Sequence, residues 1–491
     1  MAKELLAIPY YSADQVTDGA VGPDDVLNCY FEPIAEGQLA LRRRPVLDSV
    51  FCTLTGSSDY GVAGIYWWER ANVFVAVYGR KIFVITTGGS ASDVGVTLPA
   101  DALDVDFEEG ETAGGVTWVY ICGPNLGYPI RITFNTIFSV ATVTPGGGQL
   151  FNCQSIAYIN RRFVAAQPSS ARFYFTDTNP ATGIIENDYW DSSDNPLIAE
   201  SHGDRLVLIT AHTNNIYLWG VNSTEVWQDD GVTPFIPVQG ALINFGVLYY
   251  KAVTVIGERV FAAGTLDGNL CIAEIRGGQA VPISNAIDNI ITSPFIKLSY
   301  TTVAKTTLLL AGIPISGTSD YDLWAYDLST GAWVKWTDYT TGSHTIFKGM
   351  YCSVAANFDV HIIGSINSGV IYRMRFGSSY QQERSLPLQL RRRTPWIQHG
   401  TWKRKRCNRV YLRLKRGHTS DGKVYLRWAD DGRDTWSPSY QLNLYPTSNK
   451  DFISRNYRMG MYHSRRYEFT MSDNADFVLV GSDEDVTILR D

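Results

Sequence analysis

The chain reads as an all-β protein, a β-propeller of six or seven blades followed by an additional C-terminal β domain, and three observations carry that reading. Aromatic residues make up 13% of the 491 residues, glycine numbers 43 and charged residues reach only 19%, the composition of half-buried strands joined by glycine turns. Pairs of apolar strands recur between residues 60 and 375, at steps of roughly 40–55 residues, the size of a four-stranded blade with loop insertions. Charge is divided: residues 381–491 hold 21 Lys+Arg against 13 Asp+Glu, a net of +8, and the rest holds 21 basic and 36 acidic residues, a net of −15. Such asymmetry marks the edge between an acidic body and a basic tail domain. The expected organisation is therefore an extended segment over 1–60 that contributes to ring or blade closure, a propeller over 61–380 and a basic β domain over 381–491. An array of β-sandwiches is the alternative topology.

The opening segment contains Asn28-Cys29-Tyr30-Phe31-Glu32-Pro33, then Gly37 and Leu41-Arg42-Arg43-Arg44-Pro45. The first repeat follows as Ile65-Tyr66-Trp67-Trp68, Val73-Phe74-Val75-Ala76-Val77 and Ile82-Phe83-Val84-Ile85, and later cores begin near Val116, Ile156, Arg205, Val253, Thr307 and Met350. Several units share one phrase, two apolar strands around a polar pair, as in Ile159-Asn160-Arg161-Arg162; the pair suits a tight turn. Between 216 and 231 the strand Ile216–Gly220, an Asn222-Ser223-Thr224 turn and a strand ending in Trp227 form a hairpin by pattern. Gly240-Ala241, Gly246 and Pro282-Ile283-Ser284-Asn285 follow it. Leu323-Trp324-Ala325-Tyr326-Asp327-Leu328-Ser329-Thr330-Gly331-Ala332-Trp333 is similar to the outer hairpin of a kelch-type blade, whose Trp packs between blades. That phrase speaks for fold and not for activity.

The tail domain carries the most distinctive surface. Between Arg391 and Arg416 stand eleven basic residues and no acidic one, interleaved with Trp396, Trp402 and Tyr411. Arg409, Tyr411, Arg413 and Lys415 alternate with Val410, Leu412 and Leu414. After a Gly417–Gly422 turn, Lys423, Tyr425 and Arg427 alternate with Val424, Leu426 and Trp428. Folded as one hairpin, the two strands would bury the apolar set and gather Arg409, Arg413, Lys415, Lys423 and Arg427 on one outer face. Like charges across strands repel, so that face calls for an anionic partner. An acidic surface on a neighbouring subunit or another protein comes first, the DNA backbone, held without sequence reading, second, and a solvated face third.

Signs of catalysis are sparse. The seven histidines never fall at H-x-H, H-x₃-H or H-E-x-x-H spacing, so no metal site shows in local sequence, and neither a G-x-S-x-G elbow nor a phosphate loop is present. The expectation is no cofactor, no metal and no catalytic residue. Paired carboxylates at Asp229-Asp230, Asp430-Asp431 and Asp483-Glu484-Asp485 lie beside glycine or in polar stretches, where turn chemistry or a solvated tail accounts for them. Ala429–Ser437 resembles the Asp-box turn of sialidases, a structural element in those enzymes. The seven cysteines are scattered and odd in number, which suits reduced, buried thiols. The apolar run Thr306–Ile315 is too short to span a bilayer and Met1–Tyr11 lacks a signal-peptide core, so a soluble protein made in a reducing compartment is expected.

The order of these phrases resembles the packaged-DNA stabilisation, or tail-hub, proteins of short-tailed phages. The resemblance rests on Asn28 to Pro45, on Ser223 to Trp227 with Gly246 and Pro282 to Ile287, and on Asp430 to Ser437 followed by Arg458, Gly460, Arg465-Arg466 and Tyr467-Glu468-Phe469. Val46 stands where that family has glycine, so a different backbone course after Pro45 is expected. The resemblance implies a structural virion protein: a homohexameric ring below portal and adaptor proteins, meeting a tail needle or fibres, with genomic DNA passing through the lumen. A propeller-type glycan hydrolase of the tail is the alternative, and a kelch-like interaction scaffold a third.

Overall fold

In the computed structural model the described residues are 3–7, 25–35, 38–56, 58, 60–111, 116–135, 137–142, 152–176, 178–179, 184–185, 190, 196–199, 204–229, 235–303, 305–340, 342–377, 382–384, 386–414, 422–444 and 452–489. Strands account for nearly all their regular structure. The exceptions are two three-residue 3-10 turns, Asp288–Ile290 and Ala356–Phe358. No helix among these residues is long and apolar enough to cross a membrane.

Seven four-stranded antiparallel units follow one another along 62–97, 106–142, 155–198, 206–237, 253–282, 297–340 and 349–375. Six are simple meanders. The seventh supplies three strands from 349–375 and takes its fourth, Val46–Thr53, from the N-terminal part of the chain; it pairs antiparallel with Val370–Arg375. Arg44-Pro45 runs straight into that strand without a turn.

Local chemistry explains the units. Asn160 and Arg161 both have positive φ (47° and 69°) between Ile159 and Arg162, which are paired. That is the type I′ turn, whose twist matches its flanking strands. Asp327 Oδ1 accepts hydrogen bonds from the Ser329 N–H (2.8 Å) and Oγ (2.6 Å), closing the turn before Trp333. The Trp333 indole then donates to the Ile283 carbonyl at 2.8 Å, tying the sixth unit to the edge of the fifth. Gly246 lies where the fourth and fifth units meet: it bridges Thr265, and a Cβ there would overlap the Val221 carbonyl.

The remaining strands build on the sixth unit. Its last strand, Trp333–Thr340, pairs in parallel with Val26–Leu27, and the sheet continues through Leu390–Arg393, Arg465–Met471, Gly422–Asp430 and Tyr440–Leu444. A second sheet runs Cys29–Ala35, Gln38–Arg43, Val478–Ile488, Lys405–Leu414, Phe452–Tyr457, with Lys3–Ala7 added to Val478–Ile488. One apolar core runs from Leu308, Trp336 and Met350 through Val410, Leu412, Val424, Phe469 and Val486, so the two sheets and the last two units share their interior.

Candidate interaction surface

The expected basic hairpin does not form. Lys405–Leu414 and Gly422–Asp430 belong to different sheets and share no pairing. The alternation itself stands: Val410, Leu412, Leu414, Val424 and Leu426 are buried. Each strand has taken an acid-bearing neighbour in place of its basic sister, because opposite charges across a ladder attract where like charges repel. Beside Lys405–Leu414, Arg409 stands opposite Asp485, and Arg413 Nε lies 3.4 Å from Asp483 Oδ2. Beside the other, Arg427 Nη2 donates to Glu468 Oε2 at 2.9 Å and Arg393 Nε to the same oxygen at 2.6 Å. The Trp436 ring lies under both guanidinium groups. Burial pushes the Glu468 carboxyl up, and the two arginine hydrogen bonds outweigh it and hold the group below its ordinary range. Lys423 is exposed; Lys415 lies outside the described residues.

The Asp483-Glu484-Asp485 run corrects a second expectation. It is neither a turn nor a solvated tail but the middle of the strand Val478–Ile488. Glu484 is fully buried and accepts from Tyr462 OH (2.8 Å) and Tyr467 OH (2.5 Å), with His399 Nε2 on the same carboxylate. Asp431 does behave as a turn residue, while Asp430 ends the strand Gly422–Asp430. Asp431 has φ of 56° and accepts the His463 and Ser464 N–H groups, and Asp430 holds the buried Arg465 through two hydrogen bonds (2.6 and 2.9 Å).

A cationic surface without such neighbours lies at the start of the strand. Lys403, Arg404 and Arg406 are exposed, and among the described residues none of them forms an ion pair. Trp402 beside them is 72% exposed, and Met461, paired with Arg406 on the neighbouring strand, is 47% exposed. Trp, Arg and Met are the residue types enriched in protein interfaces. The sequence names Trp402 among the aromatics of the basic run, but nothing in it separates Arg404 and Arg406 from Arg409 and Arg413. The pairing with 478–488 makes that distinction.

A separate cluster joins residues of several units. Asp104 Oδ1 accepts from Lys297 Nζ (3.0 Å) and Tyr351 OH, and Oδ2 from Tyr249 OH and Tyr250 OH (3.3 Å). Asp106 Oδ1 accepts from Lys251 Nζ at 2.9 Å and Oδ2 from Ser155 Oγ at 3.1 Å, and Ser155 Oγ accepts the Ile209 N–H. Burial first, then the Asp104 charge, push the phenols of Tyr249, Tyr250 and Tyr351 well above their ordinary range, so they stay neutral donors. Contributions come from the second, third, fourth, sixth and seventh units and from the segment entering the fifth. Both carboxylates there are engaged by a lysine and hydroxyls. No group of three or more His, Cys, Asp or Glu residues among the described residues is placed to hold a metal ion.

The model of the phage stabilisation family described as Bacteriophage P22 Gp10, beta-propeller, matches residues 31–378. The chain belongs to this family. The matched span takes in the seven units, while the Trp402 surface lies beyond it. No curated protein matches the chain. Solved structures give remote likenesses. The extracellular domain of the putative one component system BT4673 from B. thetaiotaomicron aligns at 10% identity with a TM-score of 0.40, over 91% of this family member and 62% of that chain. The N-terminal domain of Nup159 aligns at 10% identity and 0.37, over 67% and 99%. An exo-beta-1,3-galactanase from Phanerochaete chrysosporium aligns at 10% and 0.30, over 77% and 95%. These scores carry no argument about the activity of a phage stabilisation protein.

Proposed function

We propose that this chain is a structural protein of a short phage tail, copies of which assemble as a homohexameric ring below the portal and its adaptor. The ring retains packaged DNA, gives it an exit path and meets the needle or fibres. Family membership supports the virion role. The observation that carries the assembly is the exposed surface of Trp402, Lys403, Arg404 and Arg406, cationic and without a carboxylate partner of its own among the described residues, on a chain whose residues 1–380 have a net charge of −15. In the ring this surface seats on the acidic body of the next copy, a head-to-tail contact that closes by rotation. Arg413 and Arg427 engage carboxylates inside the subunit and Arg409 stands opposite Asp485, while Lys423 stays exposed.

On this reading the seven units close into a seven-bladed propeller, with Val46–Thr53 joining its N- and C-terminal ends. Residues 381–491, with the strands of 25–43, make the additional β domain. The Asp104 cluster stoppers the propeller axis, so the duplex passes through the lumen between copies, and a wall of like charge keeps it from adhering. The role is not catalytic: a glycan hydrolase needs two available carboxylates, and Asp104 and Asp106 at the centre are both held. The protein resides in the virion tail after assembly in the host cytoplasm.

Light scattering and negative-stain imaging of the purified protein, alone and mixed with the portal–adaptor complex, test the proposal. Six-fold rings in either sample support it. A monomer that ignores the complex overturns it, and glycan-cleavage assays then become the next measurement.

A further inference from the structure

Cys122 ends the second strand of the second unit, Thr117–Cys122, and Cys153 precedes the first strand of the third, Ser155–Ile159. Their sulfurs lie 2.9 Å apart across the seam between the units, 31 positions distant in the chain, and both residues are buried, among Trp118, Tyr120, Phe163 and Trp190. The Cys153 N–H donates to the Gly127 carbonyl at 2.8 Å, which anchors that backbone beside the second unit. Both are free thiols. A disulfide needs its sulfurs at about 2.05 Å, a shift of under 1 Å from the position shown.

We infer that Cys122 and Cys153 form an oxidative modification site, an intramolecular disulfide that staples the second unit to the third when the protein meets a small-molecule disulfide. The chemistry is thiol–disulfide exchange. One cysteine thiolate attacks a sulfur of oxidised glutathione, a mixed disulfide forms and a glutathione thiolate leaves. The second cysteine sulfur attacks the protein sulfur of that mixed disulfide, the Cys122–Cys153 bond forms and the second glutathione thiolate leaves. Two protein thiols lose their protons and two electrons, which reduce the glutathione disulfide to two thiols. Burial first, then the hydrogen bond with Cys153, push the Cys122 thiol well above its ordinary range, so the exchange is slow near neutrality and quickens as pH rises. The inference is independent of ring assembly.

The test uses the full-length reduced protein, incubated with oxidised glutathione at mildly alkaline pH. The expected result is a fall from seven free thiols to five, a cross-linked peptide pair containing Cys122 and Cys153 by mass spectrometry, and a Tm higher by about 5 °C that dithiothreitol reverses. Cys153→Ala should lose the cross-link and the Tm response, and the wild-type peptide map decides the matter even if that variant folds poorly. Seven thiols still free, a cross-link between other cysteines, glutathione adducts alone, or a cross-link with no gain in Tm would each overturn the inference.

Discussion

Arg44 Nε donates to Asn28 Oδ1 at 2.9 Å, with both side chains removed from solvent. Around this contact three parts of the chain are joined. Asn28 Oδ1 also accepts the Thr337 N–H (2.8 Å) and Asn28 Nδ2 donates to the Gln389 carbonyl (3.0 Å), while Arg44 forks onto Glu383 at 3.1 and 3.0 Å and lies over the Phe347 ring. The N-terminal segment, the sixth unit and the start of the C-terminal sheets thus share one buried polar junction. Removing one member of a buried pair strands the other's charge. Arg44→Leu should therefore cost about 3–5 kcal/mol, read as a lower urea midpoint with an unchanged slope.

Asp104 offers a second test of buried charge. Asp104→Ala leaves Lys297 without its carboxylate and three tyrosine hydroxyls without their acceptor. A loss of about 3–5 kcal/mol is expected, larger than that of Asp106→Ala, whose side chain is only partly buried. Equal losses in denaturant titrations would show that the cluster is not organised on Asp104.

Gly246 tests packing rather than charge. Gly246→Ala places a methyl group on the Val221 backbone at the contact of the fourth and fifth units, where no flexible side chain can yield. The expected cost is about 3 kcal/mol. Gly257→Ala, with open space around its Cβ position, meets only the backbone penalty of its positive φ. Thermal unfolding of the two variants side by side distinguishes these cases.

Acid sensitivity has a defined contributor in Glu274. The hydrogen bond from Arg259 chiefly, opposed by burial and reinforced by Arg276, holds its carboxyl at about 2, against an ordinary value of 4.5. The folded pKa is depressed, so the stabilisation is complete above about pH 4.5 and disappears as pH falls toward 2. Glu274→Gln should flatten the pH dependence of the urea midpoint in that window. An unchanged slope would assign the acid sensitivity elsewhere.

Assembly has its own variant. Trp402→Ala combined with Arg404→Glu removes exposed side chains that make no hydrogen bond or ion pair among the described residues, so monomer stability should stay within about 0.5 kcal/mol. Light scattering should nonetheless shift from ring toward monomer. A ring that persists at the same concentration would show that the contact lies elsewhere.

Much of the architecture was legible in the chain, because strand and turn chemistry is local. The recurrent apolar pairs mark the seven units; Asn160-Arg161 marks a tight turn, and Asp327 to Trp333 marks a unit edge whose Trp reaches the neighbouring unit. Alternation at Val410, Leu412 and Leu414, and again at Val424 and Leu426, identified the buried face of each strand. A period of two says which side of a strand is inward and nothing about which strand lies beside it. That choice belonged to the tertiary structure. Arg409 found Asp485 and Arg427 found Glu468, partners many tens of residues downstream, because pairing unlike charges across a ladder is favourable where the expected hairpin would have set cation against cation. The same long-range pairing turned Glu484 from an apparent tail residue into a buried acceptor, brought Cys122 to Cys153, and left Trp402, Lys403, Arg404 and Arg406 as the exposed cationic end of the strand.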